Sequence, residues 1–329
     1  MVDQAYAVQI NAYGAPTVLE YKPVTLAPLG PMDLRLKAIA AAVNHTDLEI
    51  RQGNWPVRRP DPFPYVPGVE AVGEVVEIGA GVSGWRVGDR AITMMQGMGG
   101  VRAERPGGYA THVTAPATTV AKLPGDSDPY AIAALGLAGV TAFEGLRVTG
   151  SLAGRRVLVT GAAGGVGSAA VQIAKVQGAT VVGLVSSARQ VEAATAAGAD
   201  LVVQSGDSGF DGSEVGAVDT ILDTVGAKIF SSCLAALKPG GVFSLVGAVS
   251  GGDVKLDLWE LIRPVTLTGY STENLTGADL QRVVDALAGW VSSGRLSMLP
   301  WTQIPLSEAA TAHRALEQRE LRGRVLLTP

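Results

Sequence analysis

The sequence has a single cysteine, Cys233, in 329 residues, and this scarcity excludes two kinds of architecture. One thiol cannot form an intramolecular disulfide or supply a cysteine-rich zinc lobe. Histidine is also scarce; His112 and His313 belong to no recognisable constellation, and we interpret them as surface or packing residues. Aromatic residues make up only 5%, whereas glycine is abundant at 42 residues, which favours helices packed closely on a sheet over an aromatic-lined β-sandwich.

Dense clusters of Lys and Arg are absent as well, and the formal net charge is −4. We therefore expect no nucleic acid and no membrane among the partners. The first ten residues, MVDQAYAVQI, lack the basic and apolar segments of a signal peptide. The longest nearly apolar run, YAIAALGLAGVTAF, is too short to span a bilayer. These features predict a soluble cytoplasmic protein.

The pattern of predicted secondary structure changes along the chain. Residues 1–124 contain short, partly alternating strands broken by Gly and Pro, which indicates a partly closed β-barrel. From residue 125 to residue 271, strands alternate with helices, which predicts a doubly wound parallel sheet and an α/β fold. Residues 272–329 carry two helices and a closing strand, and we expect this segment to return to the first domain.

A glycine-rich turn lies between a predicted strand and a predicted helix in VLVTGAAGGVGSAAVQIAK. Backbone N–H groups at such a helix N-terminus bind a pyrophosphate, and the helix dipole favours its negative charge. Ala162 replaces the first glycine of the common GxGxxG pattern, which leaves AxGxxG. The turn therefore predicts dinucleotide binding at Gly164, Gly165, Val166 and Gly167.

The end of the next strand, GLVSSARQ, indicates which dinucleotide binds. An Asp or Glu here would accept hydrogen bonds from the 2′-hydroxyl of NAD and repel the 2′-phosphate of NADP. The chain has Ser186, Ser187 and Arg189 instead, and two hydroxyls with a guanidinium favour the phosphate. The predicted cofactor is NADPH.

The order of elements and several strings together resemble the medium-chain dehydrogenase/reductase superfamily over essentially the whole chain. The resemblance is closest to its zinc-free quinone oxidoreductase branch, which includes the ζ-crystallins. FPYVPGVEAVGEVVEIGAGVSGWRVGDRA is similar to the barrel signature of the superfamily, and GAAGGVGSAAVQIAK to the glycine turn of quinone reductases. The resemblance implies a GroES-like β-barrel catalytic domain, completed by the C-terminal segment, around an inserted Rossmann domain.

Zinc-dependent members of the superfamily carry a Cys in a string like Cys-His-Thr-Asp, a His in Gly-His-Glu, and a later Cys before Ala-Gly-Val-Thr. The matching positions here are Asn44, Val69 and Leu137. A catalytic zinc needs three well-placed ligands and an open position. We therefore predict no metal.

Without a metal, negative charge that develops on the substrate must be stabilised by hydrogen-bond donors. Asn44, His45 and Thr46 offer an amide, an imidazole and a hydroxyl on one short segment. Asp47 and Glu70 could join His45 around a metal in principle, but we interpret Asp47 as structural.

The resemblance also implies contacts with the cofactor. The Asn44 position lies beside the nicotinamide in quinone reductases, the His45 position lies near cofactor phosphate, and the Thr46 position faces substrate in alcohol-metabolising relatives. Further cofactor contacts are implied at Thr141, Asp223, Val225, Val246, Gly247, Ala248, Ser271 and Arg324.

Three functions remain open from the sequence. The leading one is an NADPH-dependent reductase that transfers hydride to a quinone or another conjugated carbonyl. The second is an enoyl reductase for thioester or polyketide-like substrates, although mitochondrial-type enoyl reductases place a Tyr acid where this chain has Trp55. We expect Trp55 to form an apolar wall of the substrate cleft. The third is a noncatalytic NADPH-binding or structural protein, as among the ζ-crystallins.

An edge strand near PVTLTGYS predicts the oligomeric state. An unpaired apolar edge is an aggregation hazard, so we expect it to pair across a two-fold axis in a homodimer.

Overall fold

The computed structural model describes residues 4–206, 209–321 and 323–329. In that part of the chain the strands are β1 (Ala5–Gln9), β2 (Glu20–Val24), β3 (Asp33–Ala42), β4 (Glu70–Ile78), β5 (Arg90–Met94), β6 (His112–Pro116), β7 (Val120–Lys122), β8 (Arg156–Thr160), β9 (Thr180–Val185), β10 (Leu201–Gln204), β11 (Val218–Asp223), β12 (Leu237–Leu245), β13 (Thr266–Gly269), β14 (Trp301–Pro305) and β15 (Arg324–Thr328). The α-helices are α1 (His45–Gln52), α2 (Pro129–Arg147), α3 (Gly165–Val176), α4 (Val191–Ala196), α5 (Gly212–Val215), α6 (Phe230–Ala236), α7 (Gly277–Ser292) and α8 (Ala309–Glu317).

The chain divides into two compact units. The first unit comprises Met1–Leu137, Thr272–Ser292 and Met298–Pro329, and the second comprises Ala138–Ser271 and Ser293–Ser297. The division falls inside α2, between Leu137 and Ala138, next to the residue where the helix is interrupted. Most of the segment after residue 271 belongs to the first unit.

The first unit is built on a largely antiparallel sheet with the strand order β14-β15-β3-β4-β5-β7, and β6 pairs with β3. β15 lies antiparallel to β3, with Leu326 opposite Ala42. The N–H group of Val43, just beyond β3, donates to the carbonyl oxygen of Val325 at 2.9 Å. This pairing fixes the start of α1 beside the start of β15, although some 280 residues separate them in the chain.

The segment between α7 and α8 contains a strand that its sequence pattern did not indicate. β14 pairs in parallel with β15, and its side chains are exposed or only partly buried. Weak burial leaves little hydrophobic alternation to detect, so the pairing with β15 rather than the local pattern identifies this strand.

The second unit contains a parallel sheet with the strand order β10-β9-β8-β11-β12-β13. Each neighbouring pair in this sheet is parallel, which confirms the predicted doubly wound arrangement. The order reverses between β8 and β11, where open α/β sheets bind ligands at the carboxyl ends of their strands. The core of the sheet includes the fully buried side chains of Leu158, Val182, Ile221 and Phe243.

Helix α2 is long and apolar enough to cross a membrane when judged by length and composition alone. However, 78% of its most apolar stretch is buried inside the protein, as in a core helix of a globular fold.

Candidate active site

The first candidate site begins where β3 leads into α1. Asn44 is the N-cap of α1 with extended backbone angles (φ −111°, ψ 159°), and its N–H group donates to Asp47 Oδ2 at 2.8 Å. The other carboxylate oxygen of Asp47 accepts a hydrogen bond from the N–H group of Val69 at 3.1 Å. Asp47 therefore ties the start of α1 to the residue before β4, which is a structural role.

The side-chain amide of Asn44 is buried and fully engaged. Its Nδ2 donates to Glu70 Oε1 at 2.7 Å and, over a longer 3.4 Å, to the carbonyl oxygen of Ala42. Its Oδ1 accepts from Arg324 Nη2 at 2.8 Å. Because both N–H bonds are used, the amide can donate to a substrate oxygen only by giving up one of them.

Glu70 is held from the other side by a break in α2. Gly136 has φ 31° and ψ −133°, and the N–H group of Leu137 is thereby free to donate to Glu70 Oε2 at 2.7 Å. A Cβ atom on Gly136 would lie 2.0 Å from that oxygen, so only glycine fits here. Arg324 Nε donates to the carbonyl oxygen of Ala134 at 3.0 Å, and its Nη2 lies 3.7 Å from Glu70 Oε1.

Burial sets the electrostatics of this cluster. It raises the pKa of Glu70, and the charge of Arg324 and the hydrogen bond from Asn44 act in the opposite direction. Burial also raises the pKa of Asp47 to about 7, although its bond from the Asn44 N–H group lowers it. Arg324 is 9% exposed, and burial lowers its pKa while Glu70 raises it. Among the groups that oppose the effect of burial on Glu70, the guanidinium of Arg324 has the largest influence.

The three zinc-ligand positions of the superfamily, Asn44, Val69 and Leu137, hold a bridging amide, an apolar side chain and a backbone donor. His45 does not join the two buried acids, because its side chain is 53% exposed and its Nε2 lies 3.2 Å from Glu49 Oε1. Among the residues that the structure describes, no three His, Cys, Asp or Glu side chains form a group that could hold a metal ion.

Two other residues of the predicted catalytic set are accessible. Thr46 is partly buried, and its hydroxyl has no hydrogen-bond partner in residues 4–206, 209–321 and 323–329. Trp55 follows α1 and is 48% exposed, so the ring is not a core residue of the first unit. Both side chains are open to a ligand.

A buried pair beside this cluster went unrecognised in the sequence. The Tyr109 hydroxyl lies 3.0 Å from His313 Nε2, and both side chains are completely buried. Burial, assisted by the charge of Arg51, lowers the pKa of His313 to about 3, so its ring is neutral near pH 7. The charge of Asp47 adds to burial in raising the pKa of Tyr109. The two residues are 204 positions apart, and no local motif links them.

The second candidate site is the turn between β8 and α3. β8 ends at Thr160, and Gly164 is the N-cap of the twelve-residue helix α3. A Cβ atom on Gly167 would lie 2.0 Å from the carbonyl oxygen of Gly161, so this approach of helix to strand requires glycine. The first N–H groups of a helix have no intrahelical acceptor and, with the helix dipole, attract an anion. The turn fits a dinucleotide pyrophosphate.

Asp223, at the end of β11, is fully buried and engaged within the protein. Its Oδ1 accepts from Thr160 Oγ1 at 2.6 Å and from the N–H group of Val225 at 2.9 Å. Burial raises the pKa of Asp223, and the hydrogen bond from Thr160 lowers it. The carboxylate joins the ends of β8 and β11, so it shapes the edge where a ligand would bind.

Outside the glycine turn, the predicted cofactor residues of the second unit include Thr141, Val225, Val246, Gly247, Ala248 and Ser271. Val246 directly follows β12, and its N–H group donates to the carbonyl oxygen of Asp223 at 2.8 Å. Ser271 is exposed beyond β13, and Thr141 is 8% exposed within α2. The residues after β11, β12 and β13 thus share the carboxyl edge of the sheet.

The three residues predicted to bind a 2′-phosphate follow β9 at the same edge. Ser186 and Arg189 are exposed, and Ser187 is partly buried. Ser186 hydrogen-bonds to the side chain of Gln190. The Arg189 guanidinium has no hydrogen bond or ion pair with any residue that the structure describes, so it is available to an anionic ligand.

Two family models match the chain. The alcohol dehydrogenase GroES-like domain matches residues 30–125, and the zinc-binding dehydrogenase model matches residues 165–289. They fall largely on the first and second units respectively, and together they confirm the predicted fold class.

Relatives of full length extend these matches. The chain is 31% identical to a quinone oxidoreductase of Pseudomonas aeruginosa, over 99% of this chain and all of the relative. It is 29% identical to an alcohol dehydrogenase of Geobacillus stearothermophilus, over 94% of this chain and 95% of the relative. The solved structure of Escherichia coli quinone oxidoreductase complexed with NADPH has a TM-score of 0.86 and 27% identity, and covers 98% of this chain and all of the other.

Proposed function

Because the chain belongs to the medium-chain dehydrogenase/reductase superfamily and to its quinone oxidoreductase-like branch, we propose that it is a cytoplasmic, NADPH-dependent reductase of quinones or other conjugated carbonyls. It would work without zinc. The contacts of Asn44 support this most directly, since a cysteine ligand is replaced by an amide that bridges Glu70 and Arg324.

The first unit would handle the substrate with few donors. The amide of Asn44 is held by its neighbours, whereas the Thr46 hydroxyl has no partner among the described residues and would be free to donate to a substrate oxygen. His45 and Trp55 are about half exposed and would border the substrate. Bound NADPH would supply the hydride. A quinone or enone spreads the resulting negative charge by conjugation, so hydrogen bonds from one hydroxyl and from solvent would be enough. A simple ketone concentrates that charge on one oxygen and would need a metal ion or a stronger hydrogen-bond donor.

Assays of NADPH oxidation test this function. We expect turnover with quinones or enones and little with saturated ketones, and no loss after dialysis against a chelator. Thr46→Ala should lower kcat/KM by less than the roughly 10²–10⁴-fold effect typical of a general acid. Thr17→Ala, at an exposed threonine of the first unit, is the matched control.

Three outcomes would replace the proposal. Turnover confined to enoyl thioesters would favour an enoyl reductase, and NADPH binding without turnover on any acceptor would favour a noncatalytic protein. Zinc that is stoichiometric and required for activity would show that the metal site has been misread.

The second unit would bind the cofactor and select NADPH. The glycine turn would hold the pyrophosphate, and Ser186, Ser187 and Arg189 the 2′-phosphate. We expect NADPH to bind more tightly than NADH, and Arg189→Ala to weaken NADPH binding about 10-fold, since a charged hydrogen bond contributes about 1.5–3 kcal/mol and an exposed one less. Titrations with both cofactors measure this. Arg295→Ala is the control, because Arg295 donates to the Val176 carbonyl at the far end of α3. Equal affinities of the wild-type protein for NADPH and NADH would refute the assignment.

A second copy of the chain would cover an apolar surface of the second unit. β13 is an edge strand, and its Leu267 is 42% exposed. The segment before it exposes Leu258, Trp259 and Ile262, at 72%, 76% and 69%. Edge strands with exposed apolar side chains invite pairing with another chain.

Light scattering should therefore give the mass of a homodimer. Trp259→Glu combined with Leu267→Lys should give a folded monomer, because charges on an edge oppose pairing. Val87→Glu, at a side chain that is 66% exposed in the first unit, should leave the dimer intact. A wild-type monomer at micromolar concentration would contradict this model.

A further inference from the structure

One side-chain oxygen at the end of β9 accepts two hydrogen bonds from the same serine. The N–H group and the hydroxyl of Ser186 both donate to Gln190 Oε1, each at 3.0 Å. Gln190 ends the short 3₁₀ turn Ala188–Gln190, which leads directly into α4. The chain folds back over four residues so that the amide faces the residue directly after the strand.

This arrangement imitates a bound anion. A phosphate oxygen at this place would be an acceptor for the same two donors, a backbone N–H group and a hydroxyl. While Gln190 Oε1 accepts both bonds, neither donor is open to a ligand. The neighbouring Arg189 is exposed and has no partner among the described residues, so part of an anion site is free while the remainder is occupied by the protein's own amide.

We infer that Gln190 is a specificity-determining residue that competes with the 2′-phosphate of NADPH for Ser186. This inference rests on the proposed function, in which this edge binds NADPH. NADPH must displace the Gln190 amide and lose its two bonds, whereas NADH, which carries a hydroxyl in place of the phosphate, has no such requirement. Gln190 therefore lowers the affinity for NADPH but leaves the affinity for NADH unchanged, so the ratio of the two affinities becomes smaller.

Removal of the amide should sharpen the preference. In Gln190→Ala, calorimetric titration should show NADPH binding about 3- to 10-fold tighter, which corresponds to one or two hydrogen bonds that no longer need to be broken. NADH affinity should stay within a factor of two. Adenosine 2′,5′-bisphosphate should also bind more tightly to Gln190→Ala than to the wild-type protein. The affinity for 5′-AMP, which lacks the 2′-phosphate, should not change.

Addition of charge should do the opposite. In Gln190→Glu the carboxylate keeps both bonds from Ser186 and repels the phosphate, so NADPH should bind about 10-fold more weakly or worse, with NADH little changed. Gln177→Ala and Gln177→Glu are the matched controls, because Gln177 is the C-cap of α3, at the opposite end of that helix from the glycine turn. Neither control should alter the ratio of the two affinities.

The outcomes separate this inference from the function on which it rests. Weaker NADPH binding in Gln190→Ala would make Gln190 a direct phosphate ligand and overturn the inference. Parallel changes for NADPH and NADH would overturn it in favour of a packing role. If the wild-type protein binds NADPH and Gln190→Ala binds it with the same affinity, this inference is wrong but the proposed function stands. If the wild-type protein binds neither NADPH nor NADH, the proposed function is wrong as well.

Discussion

Alanine in place of Gly167 should weaken NADPH binding by about 100-fold or more while the protein still folds. The added Cβ would overlap the Gly161 carbonyl oxygen, at 2.0 Å, and would also press on the backbone of Ala162. No rotamer change relieves a clash between Cβ and backbone, so the start of α3 must move away from β8. That shift costs about 1–3 kcal/mol and displaces the N–H groups that would hold the pyrophosphate.

Titration of NADPH fluorescence measures this loss, and circular dichroism checks the fold. Gly212→Ala provides the control, because a Cβ there would meet nothing within 4 Å and Gly212 lies in the same unit. Binding of NADPH by Gly167→Ala within threefold of wild type would show that the turn does not carry the pyrophosphate.

Methionine in place of Arg324 should lower the free energy of unfolding by about 3–5 kcal/mol, because it leaves Glu70 buried without its cation. Glu70 is 1% exposed, and the guanidinium lies 3.7 Å from it as well as 2.8 Å from the Asn44 amide oxygen. The same substitution at Arg282, in a surface pair with Asp279, should cost no more than about 1 kcal/mol.

Urea unfolding of a double variant tests the physical cause. Glu70→Gln removes the charge that Arg324→Met leaves uncompensated, so the double variant should recover part of the lost stability. A purely additive loss would mean that Arg324 acts through packing or its bond to the Ala134 carbonyl, and the electrostatic account would then be wrong.

Sequence patterns predicted the parallel sheet of the second unit because its determinants are local. Strand and helix periodicity lie within one continuous stretch, as does the glycine turn, in which Gly164 caps α3 and Gly167 lies in its first turn. The division of the chain was less visible, because it lies inside α2 where Gly136 leaves helical geometry to meet Glu70. A single glycine within an apolar helix gives no sign of such a contact.

The first candidate site was predicted as a set of residues but not as an arrangement. Asn44 and Arg324 were both identified, yet the bond between them spans 280 positions, and no spacing rule connects them. The pair Tyr109 and His313 was missed for the same reason. Whether the Asn44 amide can donate to a ligand depends on the hydrogen bonds that it already makes. Only the folded structure shows those bonds.

Arg324 is translated long after Asn44, so their contact cannot form while most of the chain is being synthesised. During synthesis at about 5–20 residues per second, roughly 15–55 s separate translation of Asn44 from translation of its partner on β15. Throughout that interval the end of β3 at Ala41 and Ala42 lacks its partner strand β15, whereas the second unit emerges almost complete as one continuous segment. On the ribosome, therefore, the second unit would mature first, and the half-built first unit would be the part that needs a chaperone.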